Sequence, residues 1–248
     1  MSKQKAVTIH FLFSLAVVST LLAIIFFIWY PAPMFRINGA ANILKILVGV
    51  DLVLGPMLTA YLYRPGKKGL WIDMWFIAIV QIGALVYGAT TIYQERPQFM
   101  VFSQDRYVVL AGKDVIDGTE PRQACEIVDS LPCRVVAIVG DSVEARSSLL
   151  EKTLKTGAEL EQLAEYWQPF DKHRSKVLAK ARPLQAIIDA SPAVEDAVKR
   201  LSNKHDRALS DMVYVPVINK NLVGFCLIID AETAETLDVI AVDPWEME

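Results

Sequence analysis

Within its first 93 residues the chain carries three apolar stretches of membrane length. A hydrocarbon core about 30 Å thick is crossed by about 20 helical residues, so each stretch is long enough to span. The first, about 11–30, reads "FLFSLAVVSTLLAIIFFIWY" and holds no charge; the second, about 43–63, reads "ILKILVGVDLVLGPMLTAYLY"; the third, about 71–93, reads "WIDMWFIAIVQIGALVYGATTIY". Trp29, Tyr30, Tyr61, Tyr63, Trp71, Trp75 and Tyr93 fall near the span ends, where amphipathic rings favour the interface. A cleaved signal peptide does not suit the first stretch, because its apolar region is too long and "WYPAPMF" offers no small-x-small cleavage site. Buried helices of a soluble protein would be the competing reading of the other two, but three such segments joined by short loops argue against it.

Lysine and arginine placement sets an orientation. The N-terminus holds Lys3 and Lys5, and the loop after the second span holds Arg64, Lys67 and Lys68, whereas "PAPMFRINGAAN" between spans one and two holds only Arg36. The N-terminus and second loop are therefore expected in the cytoplasm and residues 94–248 outside, in the periplasm of a bacterium with two membranes. The overall charge of −3 conceals two regions. Residues 1–93 carry seven basic and two acidic groups; residues 94–248 carry 18 basic against 26 acidic. An acidic outer region with no basic patch excludes nucleic acid as the expected partner.

Asp51 lies roughly 12 Å inside the second span at 1.5 Å per residue. An ionised carboxylate there costs about 3 kcal/mol on insertion scales and must face protein or water. Pro56 cannot donate to the carbonyl of Leu52, so the helix is expected to kink just beyond the acid. Gln81 sits at similar depth in the third span. One reading pairs Asp51 with Gln81 across a helix pair; another has Asp51, Gly55, Pro56 and Gln81 dock a polar group of a second membrane protein; a proton or ion path is the third. Gly49, Gly55, Gly83 and Gly88 are expected to allow close helix approach.

Beyond Tyr93, "QFMVF" and "RYVVL" flank the turn signal "SQD" and read as a strand pair, with "CRVVAIVG" a third strand. Leu150, Leu154, Leu160, Leu163 and Trp167 recur at helical steps, predicting an amphipathic helix over 147–167. Residues 183–201 also read as helical, restarting with Ser191 as N-cap and Pro192 in the first turn. "MVYVPVI" and "LVGFCLIID" read as a hairpin, with Pro216 suggesting an edge strand. The expected fold class is a membrane protein with three N-terminal transmembrane α-helices (residues 1–93) followed by a small α+β periplasmic domain (94–248). Cys125 and Cys133 enclose a short loop that a disulfide would close, and Cys226, in an apolar strand, reads as buried and free, with Cys125 to Cys226 as the alternative pairing.

Catalytic chemistry has little to stand on. His10, His173 and His205 are far apart in sequence, with no metal-ligand spacing. "DKHR" (171–174) and "KHDR" (204–207) read as solvated charge runs. Neither a nucleophile elbow, a P-loop nor a dinucleotide glycine pattern occurs. No cofactor, metal or catalytic residue is expected.

"FIWYPAPMF", "GVDLVLGPMLT", "VYGATTIYQERPQFMVF" and the closing "AVDPW" resemble type IV pilin accessory proteins of the TfpX/TfpZ type, as does the order of three spans and an outer domain. The resemblance covers most of the chain, but only by architecture between about residues 114 and 208. It implies a non-enzymatic inner-membrane factor, chaperone-like, that assists a type IV pilin in stability or delivery to pilus assembly. The pilin is then the expected partner, alongside the lipid bilayer; the sequence sets no oligomeric state. The chain is not itself expected to be a pilin, since it lacks the basic leader and Gly-Phe cleavage step. The competing class is a membrane-anchored periplasmic sensor or receptor, weakened by having only short basic segments inside.

Overall fold

The computed structural model describes residues 2–116, 125 and 132–247. They form two compact units: Met1–Pro31 with Gly39–Arg96, and Ala32–Asn38 with Pro97–Glu248.

The first unit is helical. Helix α1 (Lys3–Ile24) is capped by the Ser2 side chain, which accepts from the Lys5 N–H, and it runs on through a π-helical turn, Ile25–Trp29. The short helix α2 (Met34–Asn38) belongs to the second unit. The second span is α3 (Ala41–Gly49), a π-helical turn (Val50–Leu54) and α4 (Gly55–Leu62). Helix α5 (Leu70–Gln94) follows Gly69, whose φ of +81° is one that glycine tolerates without strain. By length and hydropathy these elements make three membrane-length helices, Lys3–Trp29, Ile43–Leu62 and Leu70–Gln94. Large apolar side chains such as Phe13, Phe27, Phe76 and Tyr87 are exposed on the unit, as lipid contact requires.

Helix packing differs from the expectation at three points. Pro56 has no N–H to give and its ring crowds the carbonyl one turn back. The relief is the π turn at 50–54, where the Gly55 N–H reaches the Val50 carbonyl, so the irregularity surrounds Asp51 instead of following it. Of the four glycines, Gly55 and Gly88 are close-approach sites: an added Cβ would lie 2.0 Å from Gln81 Nε2 and 2.8 Å from Leu47 Cδ1. Gly49 and Gly83 meet nothing within 4 Å and face open space.

In the second unit, eight strands form one mixed sheet among the described residues. They are β1 (Pro97–Ser103), β2 (Arg106–Ala111), β3 (Cys133–Ala137), β4 (Trp167–Pro169), β5 (Arg182–Pro183), β6 (Met212–Ile218), β7 (Gly224–Asp230) and β8 (Thr236–Ile240). The order is β4-β3-β1-β2-β6-β7-β8, with β5 also on β6; β1–β3 and β2–β6 are parallel and the rest antiparallel. Both faces are covered, which is why strands such as "FMVF" and "CLII" are apolar without alternation. Met100, Phe102, Val215 and Leu227 face one layer; Phe99, Val101 and Trp167 lie in a second, and Cys226 and Ile228 in a third packed with α8 (Gln185–Ala190) and α9 (Glu195–His205).

The first layer is completed from outside the C-terminal region. Met34 and Ile37 of α2 are 2% and 0% exposed and join the cluster of Met100, Phe102 and Val217 beside Phe170 and Val177 of α7 (Phe170–Leu178). Asn219 Nδ2 donates to the Ile37 carbonyl at 2.7 Å, and Arg36 pairs with Asp238 at 3.3 Å. The segment between the first two membrane-length helices is thus part of the second unit's core.

Three expectations for this unit are corrected. The helix over 147–167 stops early: α6 (Val143–Thr156) ends on Gly157 with φ +71°, while Leu160, Leu163 and Trp167 pass into 3-10 turns and β4. Those three reach the core, whereas Leu150 and Leu154 stay exposed. Over 183–201 the restart at Ser191 and Pro192 is as expected; what differs is that Pro183 closes β5, so the helix starts at Gln185, and that the Ser191 side chain makes no capping bond. Pro216 sits in an interior strand. It is tolerated because β5 pairs with β6 at Val213 and Tyr214 and β2 pairs at Val217 and Ile218, leaving the missing N–H between the two.

Cys125 is disulfide-bonded to Cys133, which leaves Cys226 a buried free thiol on β7. The remainder of the enclosed loop, 126–131, lies outside the described residues, as does 117–124.

Candidate functional site

Polar groups cluster inside the helical unit. Gln81, on the inward face of α5, reaches the second span because Gly55 has no side chain to block it. Its Nε2 donates a long, shared bond to the Asp51 backbone carbonyl (3.4 Å) and to Oδ1 of the Asp51 side chain (3.5 Å). Its Oε1 is 2.8 Å from His10 Nε2, and His10 Nδ1 is 2.6 Å from Thr59 Oγ1.

One of these contacts has its direction set by the acceptor. An amide oxygen only accepts, so His10 Nε2 is the donor to Gln81, while the Thr59 hydroxyl can either give to or take from Nδ1. The result is a continuous polar chain, Thr59 to His10 to Gln81 to Asp51. Each of the three membrane-length helices contributes at least one member. Asp51 and Thr59 are 5% and 2% exposed, and Asp51 Oδ2 is buried with no hydrogen-bond partner among the described residues.

The structure therefore brings Asp51, Gly55 and Gln81 together, while Pro56 acts next to them through the π turn. His10 was absent from the sequence-based set because it lies just before the apolar run. A signal was present: Ala6, His10, Ser14 and Val18 recur every fourth residue, a stripe of small or polar groups on a helix otherwise lined with Phe, Ile and Leu. Ala6, Ser14 and Val18 are the buried residues of α1.

Beside this chain lies an apolar groove of about 620 Å³. Its walls are α1, through Ala6, Ile9 and Phe13, and α5, through Ala78, Ile82 and Leu85; Asp51 and Thr59 form part of the floor. At the far ends of the same helices the Tyr30 hydroxyl donates to the Ile92 carbonyl at 2.9 Å, and Trp29 meets Tyr93 edge-on at 5.1 Å.

The outer unit offers electrostatics of a structural kind. Backbone N–H bonds from Thr233 and Glu232, the Thr233 hydroxyl and Arg207 hold the Asp230 carboxyl below the usual range against the opposing effect of burial. Burial pushes Asp238 upward, but Lys204, the Val239 N–H and Arg36 outweigh it and the net shift is down. Burial also raises the Cys226 thiol to about 12, so it is inert. Among the described residues no group of three or more His, Cys, Asp or Glu is placed to hold a metal ion.

Comparison with known proteins adds what geometry alone does not. Residues 1–39 match the model of a family described as "Fimbrial assembly protein FimB". Over 246 residues, 96% of this chain and 95% of the relative, the sequence is 30% identical to the serogroup I fimbrial assembly protein of Dichelobacter nodosus. The chain belongs to the fimbrial assembly protein family. The family's serogroup E1 member from the same organism is 28% identical over an equal span, and that of serogroups C1 and C2 is 39% identical over 110 residues, or 44% of this chain and 84% of the relative. No solved structure matches. The relatives support pilus assembly as the process served, and their names describe an assembly role instead of a catalytic one. Together with the three membrane-length helices, they make this a membrane-associated pilus assembly protein.

Proposed function

We propose that the chain is a non-enzymatic accessory factor of the TfpX/TfpZ kind, which holds a type IV pilin at the inner membrane before the subunit joins the pilus. The observation that carries the reading is the groove between α1 and α5: a mostly apolar trough of about 620 Å³ in a membrane-length helical unit. A pilin with an apolar N-terminal helix and a globular head presents a helix of matching polarity. The exposed row Val143, Leu150 and Leu154 on α6 supplies a second, weaker contact for the head. Two tethered contacts raise effective concentration, so each can stay reversible.

The topology belongs to the same reading: N-terminus and the Arg64–Lys68 loop in the cytoplasm, residues 94–248 in the periplasm. Two features support it. Ala32–Asn38 shares a core with the C-terminal region, so both must lie on one side of a membrane crossed three times. A Cys125–Cys133 disulfide suits an oxidising compartment.

The test is in vivo photo-crosslinking from Phe13 and Ile82 in the groove and from Leu154 on α6, probing for pilin. Adducts at the groove positions are the expected result; correctly inserted protein giving none at any position would overturn the reading. Asp51→Asn belongs in the same experiment. Unchanged adducts and unchanged piliation would make Asp51 an internal structural group and leave the groove walls as the recognition surface.

A further inference from the structure

The β6–β7 turn, Asn219–Val223, carries an apolar tip with no covering neighbour. Leu222 is 78% exposed and Val223 47%. Leu222 also holds a left-handed backbone conformation, φ +58°, which side-chain-bearing residues other than Asn and Asp rarely adopt. In water this residue is doubly unfavourable, strained in its backbone and hydrated on its side chain. Yet the turn is well fixed: five hydrogen bonds centre on Asn219, to the Val223 carbonyl, from the Leu222, Asn221 and Val223 amides, and to Ile37.

Two independent features of the outer unit say which environment the tip meets. First, strand directions: β1 opens at Pro97, just after α5 ends at Gln94, and β2 comes back to that same sheet end, Ala111 pairing with Pro97. Strand β6 runs parallel to β2, so the turn after Ile218 emerges at the end of the sheet where the chain arrived from its third span. Second, Asn219 is bonded to the Ile37 carbonyl, and only three residues lie between Ile37 and Ala41, where α3 begins. Four residue steps reach at most about 14 Å. Both constraints come from chain connectivity and strand register, and both put the turn at the end of the second unit where the chain joins its membrane-length helices.

We infer that the Asn219–Val223 turn is a lipid-interface anchor, with Leu222 seated at the headgroup–acyl boundary of the outer leaflet and Val223 beside it. The partner is the bilayer itself. The inference rests on the three-span reading and is independent of which client the protein serves. It also accounts for a leucine where a hairpin in water would place glycine or asparagine.

The full chain, reconstituted in phosphatidylcholine–phosphatidylglycerol vesicles, tests it. Leu222→Cys is labelled with an environment-sensitive fluorophore, and Leu154→Cys on exposed α6 serves as the aqueous reference. Native thiols do not compete, since Cys125 and Cys133 are bonded and Cys226 is buried. The label at 222 is expected to emit at shorter wavelength than that at 154, to resist aqueous iodide, and to be quenched more by lipids with a nitroxide near the headgroup than by lipids carrying it deep in the chain. Iodide quenching equal to that at 154 would overturn the inference. So would protection from both quenchers, which would mean that protein and not lipid covers the turn.

Discussion

If α2 is part of the outer core, then shortening one of its side chains must destabilise a domain whose other residues begin 60 positions later, at Pro97. Ile37 is the residue to change, being fully buried against Met100, Phe102 and Val217. Ile37→Ala removes three carbons, about 2.4 kcal/mol at roughly 0.8 kcal/mol per buried CH₂. The cavity that remains adds to this, and Ile→Ala losses fall at about 2–5 kcal/mol. In a domain of about 150 residues, each kcal/mol shifts Tm by about 2–4 °C, so the variant is expected to melt about 4–20 °C lower. The assay is near-UV circular dichroism of the full chain in detergent, where the buried Tyr107, Tyr214 and Trp167 report outer-domain packing. Two references calibrate it. Val215→Ala, from the same cluster, should also lower Tm; Arg36→Ala, whose side chain is 68% exposed, should cost no more than about 1 kcal/mol. If Ile37→Ala melts with the wild type while Val215→Ala falls, the loop does not belong to the core and the placement of Ala32–Asn38 is wrong.

Gly55→Leu is expected to drive Gln81 off Asp51 and loosen the helical unit, seen as a lower melting point of far-UV helicity, whereas Gly49→Leu, facing open space, should be silent; equal effects would remove the close-approach argument. Asp230 gives a pH prediction with a definite sign. Its folded pKa lies below the unfolded value of about 3.9, so its contribution is complete above that value and is lost as pH falls through the folded pKa. Asp230→Asn should therefore be less stable than wild type at pH 7, with the difference shrinking in acid; a constant gap from pH 7 to pH 2 would contradict it.

Hydropathy read the three helices well, because a span is specified by composition over 20 or so residues and little else can satisfy its backbone in lipid. The strands over 98–102, 106–110 and 133–137 and the hairpin around "NKN" were legible for a similar reason, since short apolar runs between turn residues have few alternatives. Long-range placement was not legible. Leu160, Leu163 and Trp167 keep a helical spacing with Leu150 and Leu154, yet the left-handed cap at Gly157 separates them, and a single glycine within a periodic pattern is a weak signal. Pro216 implied an edge because edge position is a property of neighbours, which no local pattern records. In the candidate site, the Asp51–Gln81 pairing followed from matched depth in two spans. His10 did not, because its role depends on α1 lying against Thr59 and Gln81 together. The packing of "MFRIN" into a core built mostly after residue 97 had no local signature at all.

The polar chain in the membrane unit bears on how a client would be recognised. Thr59, both His10 ring nitrogens and both ends of the Gln81 amide are already engaged within the unit, so they have little left to offer a visiting helix without giving up an internal bond. In hydrocarbon such a loss leaves a bare polar group, and the measured worth of interhelical hydrogen bonds, on average about 0.6 kcal/mol, is too small to select a partner. The groove walls are different: Ala6, Ile9, Phe13, Ala78 and Ile82 present small and large apolar surfaces that a fitting helix covers and lipid chains cover less well. Under the proposed function, recognition through this site would be a matter of shape, with the His10–Gln81–Asp51 chain holding α1 and α5 at the spacing the groove requires. On that view a mutation in the chain would act on a client indirectly, by letting the groove close or widen, and Asp51→Asn, which keeps an acceptor for Gln81, would be the mildest member of the series.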